Sequence, residues 1–182
     1  MEVPNGPGFS PPVTWPVRPP GRRSWRVPAG EAMIVGAHGG AGVTTMAGLL
    51  HPAWDMGVVR RPGPGNGSFP LAGRPVVLVT RNTVTAAGRA VIASRVLAEQ
   101  GVPVTVLVVI GDGLPEPAEA RYRFGVLGGR MGAVVRMPFV PAFRIAADPL
   151  SVGLPRRARR ALAEIRALAR HSAPHPASAT RP

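Results

Sequence analysis

Apolar residues along this chain collect into short unbroken runs that alternate with longer segments of mixed polarity. The runs are typical of strands buried on both faces of a sheet, and they lie at residues 32–35, 74–80, 103–110 and 133–137. The mixed segments predict helices at about 45–50, 84–100, 116–125 and 155–170. Gly101 is placed to end the second helix. Strands that alternate with helices predict an α/β fold, a three-layer parallel sheet with helices on both faces.

Three segments lack both patterns. Residues 1–30 are rich in proline, glycine and arginine; they cannot bury enough apolar surface to offset the entropy of ordering, so they predict a disordered tail. Residues 57–74 predict a flexible linker inside a single domain at 31–170, and residues 171–182 predict a second disordered tail. Trp15 and Trp25 in the first tail either anchor a partner or lie on the domain's own surface.

Composition excludes several kinds of site. Cysteine is absent, so disulfides, thiolate metal sites and cysteine nucleophiles are excluded. The four histidines show no metal-ligand spacing, and neither a catalytic triad nor a paired-carboxylate site is visible. We therefore expect no metal ligands and no catalytic residues. The amino terminus lacks a signal-peptide pattern, and the longest apolar run, 106–110, is too short to span a bilayer, which predicts a cytoplasmic protein.

The formal net charge of +13 comes from arginine alone, because all 22 basic residues are Arg. A GC-rich coding sequence explains this bias as well as selection at any one site does. Strong positive charge favours contact with nucleic acid, anionic lipid or an acidic protein, but it does not choose among them.

The last predicted helix has an apolar face with arginines around it. The basic patch consists of Arg156, Arg157, Arg159, Arg160, Arg166 and Arg170. One interpretation is an ordinary packing helix with a solvated basic face. The other is a surface for nucleic acid or an acidic membrane, in which contacts to the phosphate backbone would make binding strongly dependent on salt.

The most informative motif follows the first strand and reads His38-Gly39-Gly40-Ala41-Gly42-Val43-Thr44-Thr45. In a phosphate-binding loop, glycines let backbone N–H groups surround phosphate oxygens, a Lys neutralises charge, and a Ser or Thr holds Mg²⁺. Here Val43 stands at the Lys position. The loop therefore predicts weak binding of a phosphate or another anion through Gly39, Gly40, Ala41, Gly42, Val43, Thr44 and Thr45. The alternative is that the glycines serve only the turn from strand to helix.

Taken together, the segments resemble the deviant-Walker ATPases, the family to which ParA and MinD belong. Residues 38–45 agree with six of the eight positions in the family's loop, and both disagreements are lysines. His38 replaces the Lys that reaches across a dimer interface, and Val43 replaces the Lys that holds the terminal phosphates. The resemblance extends over about residues 31–170 and implies a truncated P-loop NTPase-like fold.

Later segments extend the resemblance. Residues 76–80 resemble the strand after the Walker B segment, residues 134–138 the final strand, and Asp112 takes the place of a base-reading Asn. The switch strand and the Walker B strand have no counterpart. Asp55 and Asp112 are the remaining acidic candidates for Mg²⁺, although a carboxylate in a Gly-Asp-Gly turn usually has only a structural role.

These residues predict a catalytically inactive P-loop-like binding or adaptor protein, and the resemblance implies a role near DNA segregation, DNA transfer or a mobile element. One alternative is an atypical nucleotide-binding switch that holds ATP or another nucleotide weakly, with Arg81 substituting for Lys and with His38 or Asp112 as switch or base contacts. Another is a non-specific nucleic-acid-binding protein that uses its arginines.

A partner is also predicted. In the family, the loop strand lies between the Walker B strand and the strand that matches residues 76–80, so loss of the former would leave an open apolar edge at 32–35. Open edges need cover. Either the short segment 57–59 pairs there, or a second polypeptide does, through self-association or a protein partner.

Overall fold

The computed structural model describes residues 31–61 and 74–171. The strands are β1 (Ala32–Gly36), β2 (Ala53–Val58), β3 (Val76–Arg81), β4 (Val104–Ile110) and β5 (Ala133–Met137). The α-helices are α1 (Val43–Leu49), α2 (Val84–Glu99), α3 (Ala118–Gly128) and α4 (Arg156–His171). Two short 3₁₀ turns, Pro141–Arg144 and Pro149–Ser151, connect β5 to α4. The amino-terminal tail with Trp15 and Trp25, most of the predicted linker, and the tail at 172–182 lie outside the described residues.

All five strands are parallel and form one sheet in the order β2-β1-β3-β4-β5. This is a doubly wound order, and it reverses between β1 and β3. Helices cover both faces of the sheet. The prediction of a three-layer parallel α/β fold is therefore confirmed for the described residues.

The two faces of the sheet bury different residues of the same strands. Ile34 and Val77 pack in a core with α1 and α4. Met33 and Leu78 face the other way and pack with α2 and α3. This alternation explains why the strands read as unbroken apolar runs, since neither face of the sheet meets solvent.

Helix α2 has well-defined signals at both ends. Thr83 lies at the N-cap, and its side chain accepts a hydrogen bond from the Ala86 N–H at 3.2 Å. Gly101 has a φ of 69°, and the N–H groups of Gly101 and Val102 donate to the carbonyls of Ala98 and Leu97. This is the Schellman arrangement, which favours glycine. The predicted role of Gly101 is confirmed.

Strand β2 was not expected, and the prediction of a linker starting at residue 57 was wrong at its beginning. The strand pairs with β1, with Ala53 opposite Ala32 and Asp55 opposite Ile34. Its pattern, which includes Trp54, Asp55 and Gly57, is neither unbroken apolar nor strictly alternating, so hydrophobic periodicity does not reveal it.

Because β2 covers β1, the predicted open edge at residues 32–35 does not exist. The edges of the sheet among the described residues are β2 and β5. The pairing of β2 with β1 shifts register near its end, where Gly57 has a φ of 67°, and such irregularity discourages a further strand from adding there. A protein partner remains a prediction, but it must use another surface than the edge of β1.

Candidate functional site

The carboxyl ends of the five parallel strands share one edge of the sheet. Ligands of open α/β proteins bind at this edge, where the strand order reverses. Here β1 leads into the glycine loop at residues 37–42, and β3 ends at Arg81. The predicted phosphate loop therefore lies where this topology favours a ligand site.

The glycines of the loop have identifiable structural reasons. Gly40 and Gly42 have φ values of 74° and 94°, in the left-handed region that favours glycine. A Cβ on Gly36 would lie 2.7 Å from Cγ2 of Val43, so the end of β1 and the start of α1 approach too closely for a side chain. Gly39 and Gly40 are exposed, whereas Ala41 is buried. The turn from strand to helix alone is enough to require these glycines.

Val43 is the first residue of α1, and its side chain is only 8% exposed. It belongs to the core between the sheet and α1 and α4, which also contains Ile34 and Met46. The residue at the Lys position therefore points into the protein, and it offers neither charge nor a polar atom to a ligand over the loop.

Arg81 brings a cation to the loop from the neighbouring strand. Its Nε donates a hydrogen bond to the carbonyl of Gly40 at 3.1 Å, and its side chain is exposed. An Arg has five N–H donors, and this hydrogen bond uses one of them. The structure thus places Arg81 beside the glycines, as the predicted substitution for Lys requires.

Thr44 and Asp55 meet next to the loop. The Thr44 hydroxyl donates a hydrogen bond to Oδ2 of Asp55 at 2.7 Å, and the Gly57 N–H donates to Oδ1 at 2.8 Å. A hydroxyl next to a carboxylate is a combination that Mg²⁺ accepts, with water completing its coordination. Among the described residues, no three His, Cys, Asp or Glu side chains converge on one point. Two protein ligands are therefore the most that this corner offers.

Asp55, rather than Asp112, is the acidic candidate that lies near the loop hydroxyl. The sequence interpretation named Asp55 but assigned it no site role, because it ends no apolar run. Only the pairing of β2 with β1 brings it next to Thr44. The usable signal was its place in the short segment between α1 and the linker, where a strand had to be considered to cover β1.

His38 folds back on the loop. Its Nδ1 lies 2.8 Å from the Gly39 carbonyl, which requires this nitrogen to be the donor. The Nε2 atom is buried and has no hydrogen-bond partner among the described residues. Within one chain, His38 is therefore a loop-shaping residue. A reach across a dimer remains a prediction.

Asp112 has mainly a turn role. Its Oδ1 accepts a hydrogen bond from the Leu114 N–H at 3.0 Å. That hydrogen bond, with smaller effects from the Asn82 side chain and the Arg81 charge, lowers the pKa of Asp112 below its ordinary value of 3.8. The carboxylate is thus already engaged by the protein, as the turn interpretation of the Gly-Asp-Gly segment expects.

The six predicted basic-patch residues do not share one surface role. Arg156, Arg157, Arg159 and Arg160 are all exposed in the first turns of α4. Arg166 instead donates a hydrogen bond to the carbonyl of Leu49 at 2.6 Å, at the carboxyl end of α1. Arg170 lies near the far end of the helix, about 21 Å along the axis from the first arginine. The four amino-terminal arginines are the coherent group.

No protein-family model matches this chain, and neither a curated protein nor a solved structure matches it. Every helix among the described residues is too short or too polar to cross a bilayer. The fold and the site therefore define a class only, a doubly wound parallel α/β protein with a glycine-rich strand-to-helix loop at its switch point.

Proposed function

We propose that this protein is a P-loop-like binding or adaptor protein that does not catalyse phosphoryl transfer efficiently. The observation that carries the proposal is the burial of Val43, which leaves the loop itself without a cation. Phosphoryl transfer depends on charge placed against the transferred group and on a metal held in line with it. Loss of the loop cation therefore removes a main source of transition-state stabilisation while the turn keeps its shape.

The test of this proposal is a sensitive phosphate-release assay with MgATP and MgGTP on the full chain. We expect turnover far below the roughly 1 s⁻¹ at which ordinary enzymes begin. Turnover within the ordinary enzymatic range, abolished by Thr44→Ala, would contradict the proposal.

A second candidate is a nucleotide-binding switch with very slow or no hydrolysis. It is favoured by the hydrogen bond from Arg81 to the Gly40 carbonyl and by the contact between Thr44 and Asp55. Backbone N–H groups of the loop and the free donors of Arg81 would hold phosphate oxygens. Thr44 and Asp55 would hold Mg²⁺, which neutralises phosphate charge when bound.

Ligand-induced stabilisation tests this second candidate. A ligand at 100 times its Kd stabilises the folded state by about 2.7 kcal/mol, which corresponds to about 5–11 °C in Tm for a domain of this size. Arg81→Gln should remove most of the rise in Tm with MgATP. Arg95→Gln is the matched control, because Arg95 is an exposed arginine on α2 outside the loop. Absence of any rise in wild-type protein at millimolar nucleotide would eliminate the candidate.

A third candidate is non-specific binding of nucleic acid by the four amino-terminal arginines of α4. It is favoured by their shared exposure and by the lack of an acidic residue in the first turn of the helix. The resemblance to DNA-segregation ATPases points to the same kind of partner. Mobility shifts of random duplex at two salt concentrations test it, and replacement of all four arginines by Gln should reduce the salt slope. An unchanged slope would exclude this surface.

A further inference from the structure

A second concave site lies at the carboxyl ends of β4 and β5. Its volume is about 350 Å³, and none of the loop residues 37–45 lines it. Its apolar walls come from Val109, Leu114, Met137, Pro138 and Phe139. A cavity of this size is at the lower end of the range for small-molecule sites. It has room for a compact molecule with an apolar body.

Asn82 lines the same cavity and carries an unused acceptor. The residue is only 6% exposed. Its Nδ2 donates a hydrogen bond to the Leu114 carbonyl at 3.2 Å, whereas Oδ1 accepts no hydrogen bond from the described residues. Buried polar atoms are usually paired, because an unpaired one loses its hydration without compensation. The acceptor therefore calls for a donor N–H or O–H that the described chain does not supply.

The charges around the cavity are unequal. Both carboxylate oxygens of Glu116 accept hydrogen bonds from Arg136, at 2.7 and 3.0 Å, so these two charges neutralise each other. Arg157 also lines the cavity, and it forms no salt bridge with a described residue. It belongs to the first turn of α4, where the helix dipole and the absence of acidic residues add further positive potential. An anionic group is therefore favoured on this side.

We propose that this cavity binds a small organic acid that also carries an N–H group. The carboxylate of the ligand lies against Arg157, its N–H donates to Oδ1 of Asn82, and its apolar body packs against Phe139 and Leu114. The proposal goes beyond the proposed function, because it concerns a different strand end from the glycine loop and needs no phosphate.

The test uses backbone amide NMR of the full chain with N-acetyl-L-phenylalanine, which combines a carboxylate, one N–H and an apolar ring. Titration to about 10 mM detects a site with a Kd of about 1 mM. We expect saturable shifts at Gly111, Gly113 and Phe139, with the loop amides at 39–42 unmoved. Two related probes isolate the polar contacts. The methyl ester, which lacks the charge, should bind about tenfold more weakly, and 3-phenylpropionate, which lacks the N–H, about fivefold more weakly.

Two variants complete the design. Arg157→Gln should weaken the acid about tenfold and leave the ester unchanged, whereas Arg160→Gln is the matched control, since Arg160 is an exposed arginine of the same helix that does not line the cavity. Absence of saturable shifts, equal affinity of acid and ester, equal effects of the two substitutions, or tighter binding of uncharged adenosine would each overturn the proposal. Failure of these outcomes would leave the nucleotide measurements at the loop unaffected, because the two sites are read out by different amides.

Discussion

Replacement of Val43 by lysine restores the residue type that a phosphate-binding loop carries at this position. The side chain of Val43 is buried with Ile34 and Met46, and its Cγ2 lies where a Cβ on Gly36 would clash. We therefore expect the lysine to destabilise the fold rather than create a nucleotide site.

The magnitude follows from two contributions. Loss of a buried valine removes about 1.5–3 kcal/mol of hydrophobic stabilisation. The lysine stem recovers part of this loss, but its ammonium must either lose hydration or force the first turn of α1 away from the sheet. We expect a net loss of about 3 kcal/mol, which corresponds to about 6–12 °C in Tm for a domain of this size.

Chemical denaturation followed by far-ultraviolet circular dichroism measures this loss, and calorimetric titration with MgATP measures any gain in binding. Val43→Met is the matched control, because methionine has a long flexible stem without a charge, and it should cost less than about 1.5 kcal/mol. A Val43→Lys protein of wild-type stability that binds MgATP more tightly would refute the reasoning, since the side chain would then have to face the loop opening.

Three further predictions follow from single contacts. Gly101→Ala should destabilise the protein by about 1 kcal/mol in urea, because its φ of 69° is strained for a side chain; an unchanged midpoint would contradict the assigned cap. Arg166→Gln should lose about 1 kcal/mol with its hydrogen bond to α1, whereas Arg170→Gln on the same helix should lose less than about 0.5 kcal/mol; equal losses would argue against the contact. The Arg136 side chain lowers the pKa of Glu116 below its ordinary value of 4.5, so this stabilisation is present above about pH 4.5 and disappears as pH falls through the lower folded pKa. Arg136→Gln should flatten that acid limb of the stability profile, and an unaltered limb would show that the pair is not its source.

Several parts of the fold could be predicted from local sequence because they depend on neighbours along the chain. The apolar runs at β3, β4 and β5 predicted buried parallel strands, since each residue in them meets apolar surface on whichever face it lies. Gly101 predicted the end of α2, because a left-handed residue after a helix is a local requirement.

The candidate site depended much more on tertiary structure. Thr44 and Asp55 are 11 positions apart, and Arg81 lies 41 positions from the Gly40 carbonyl to which it donates. Hydrophobic pattern carries no information about which strand ends become neighbours. That is decided by the strand order, which places β1 between β2 and β3.

The sequence by itself determined the class of fold, the glycine-rich turn and the absence of a lysine from it. Tertiary structure alone decided that residues 53–58 form a strand, that Val43 faces the core, and that Arg81 rather than a loop residue supplies the nearby positive charge. The physical reason is that propensity and periodicity act over a few residues, whereas the direction of a side chain and its partners follow from how distant segments fill the same space.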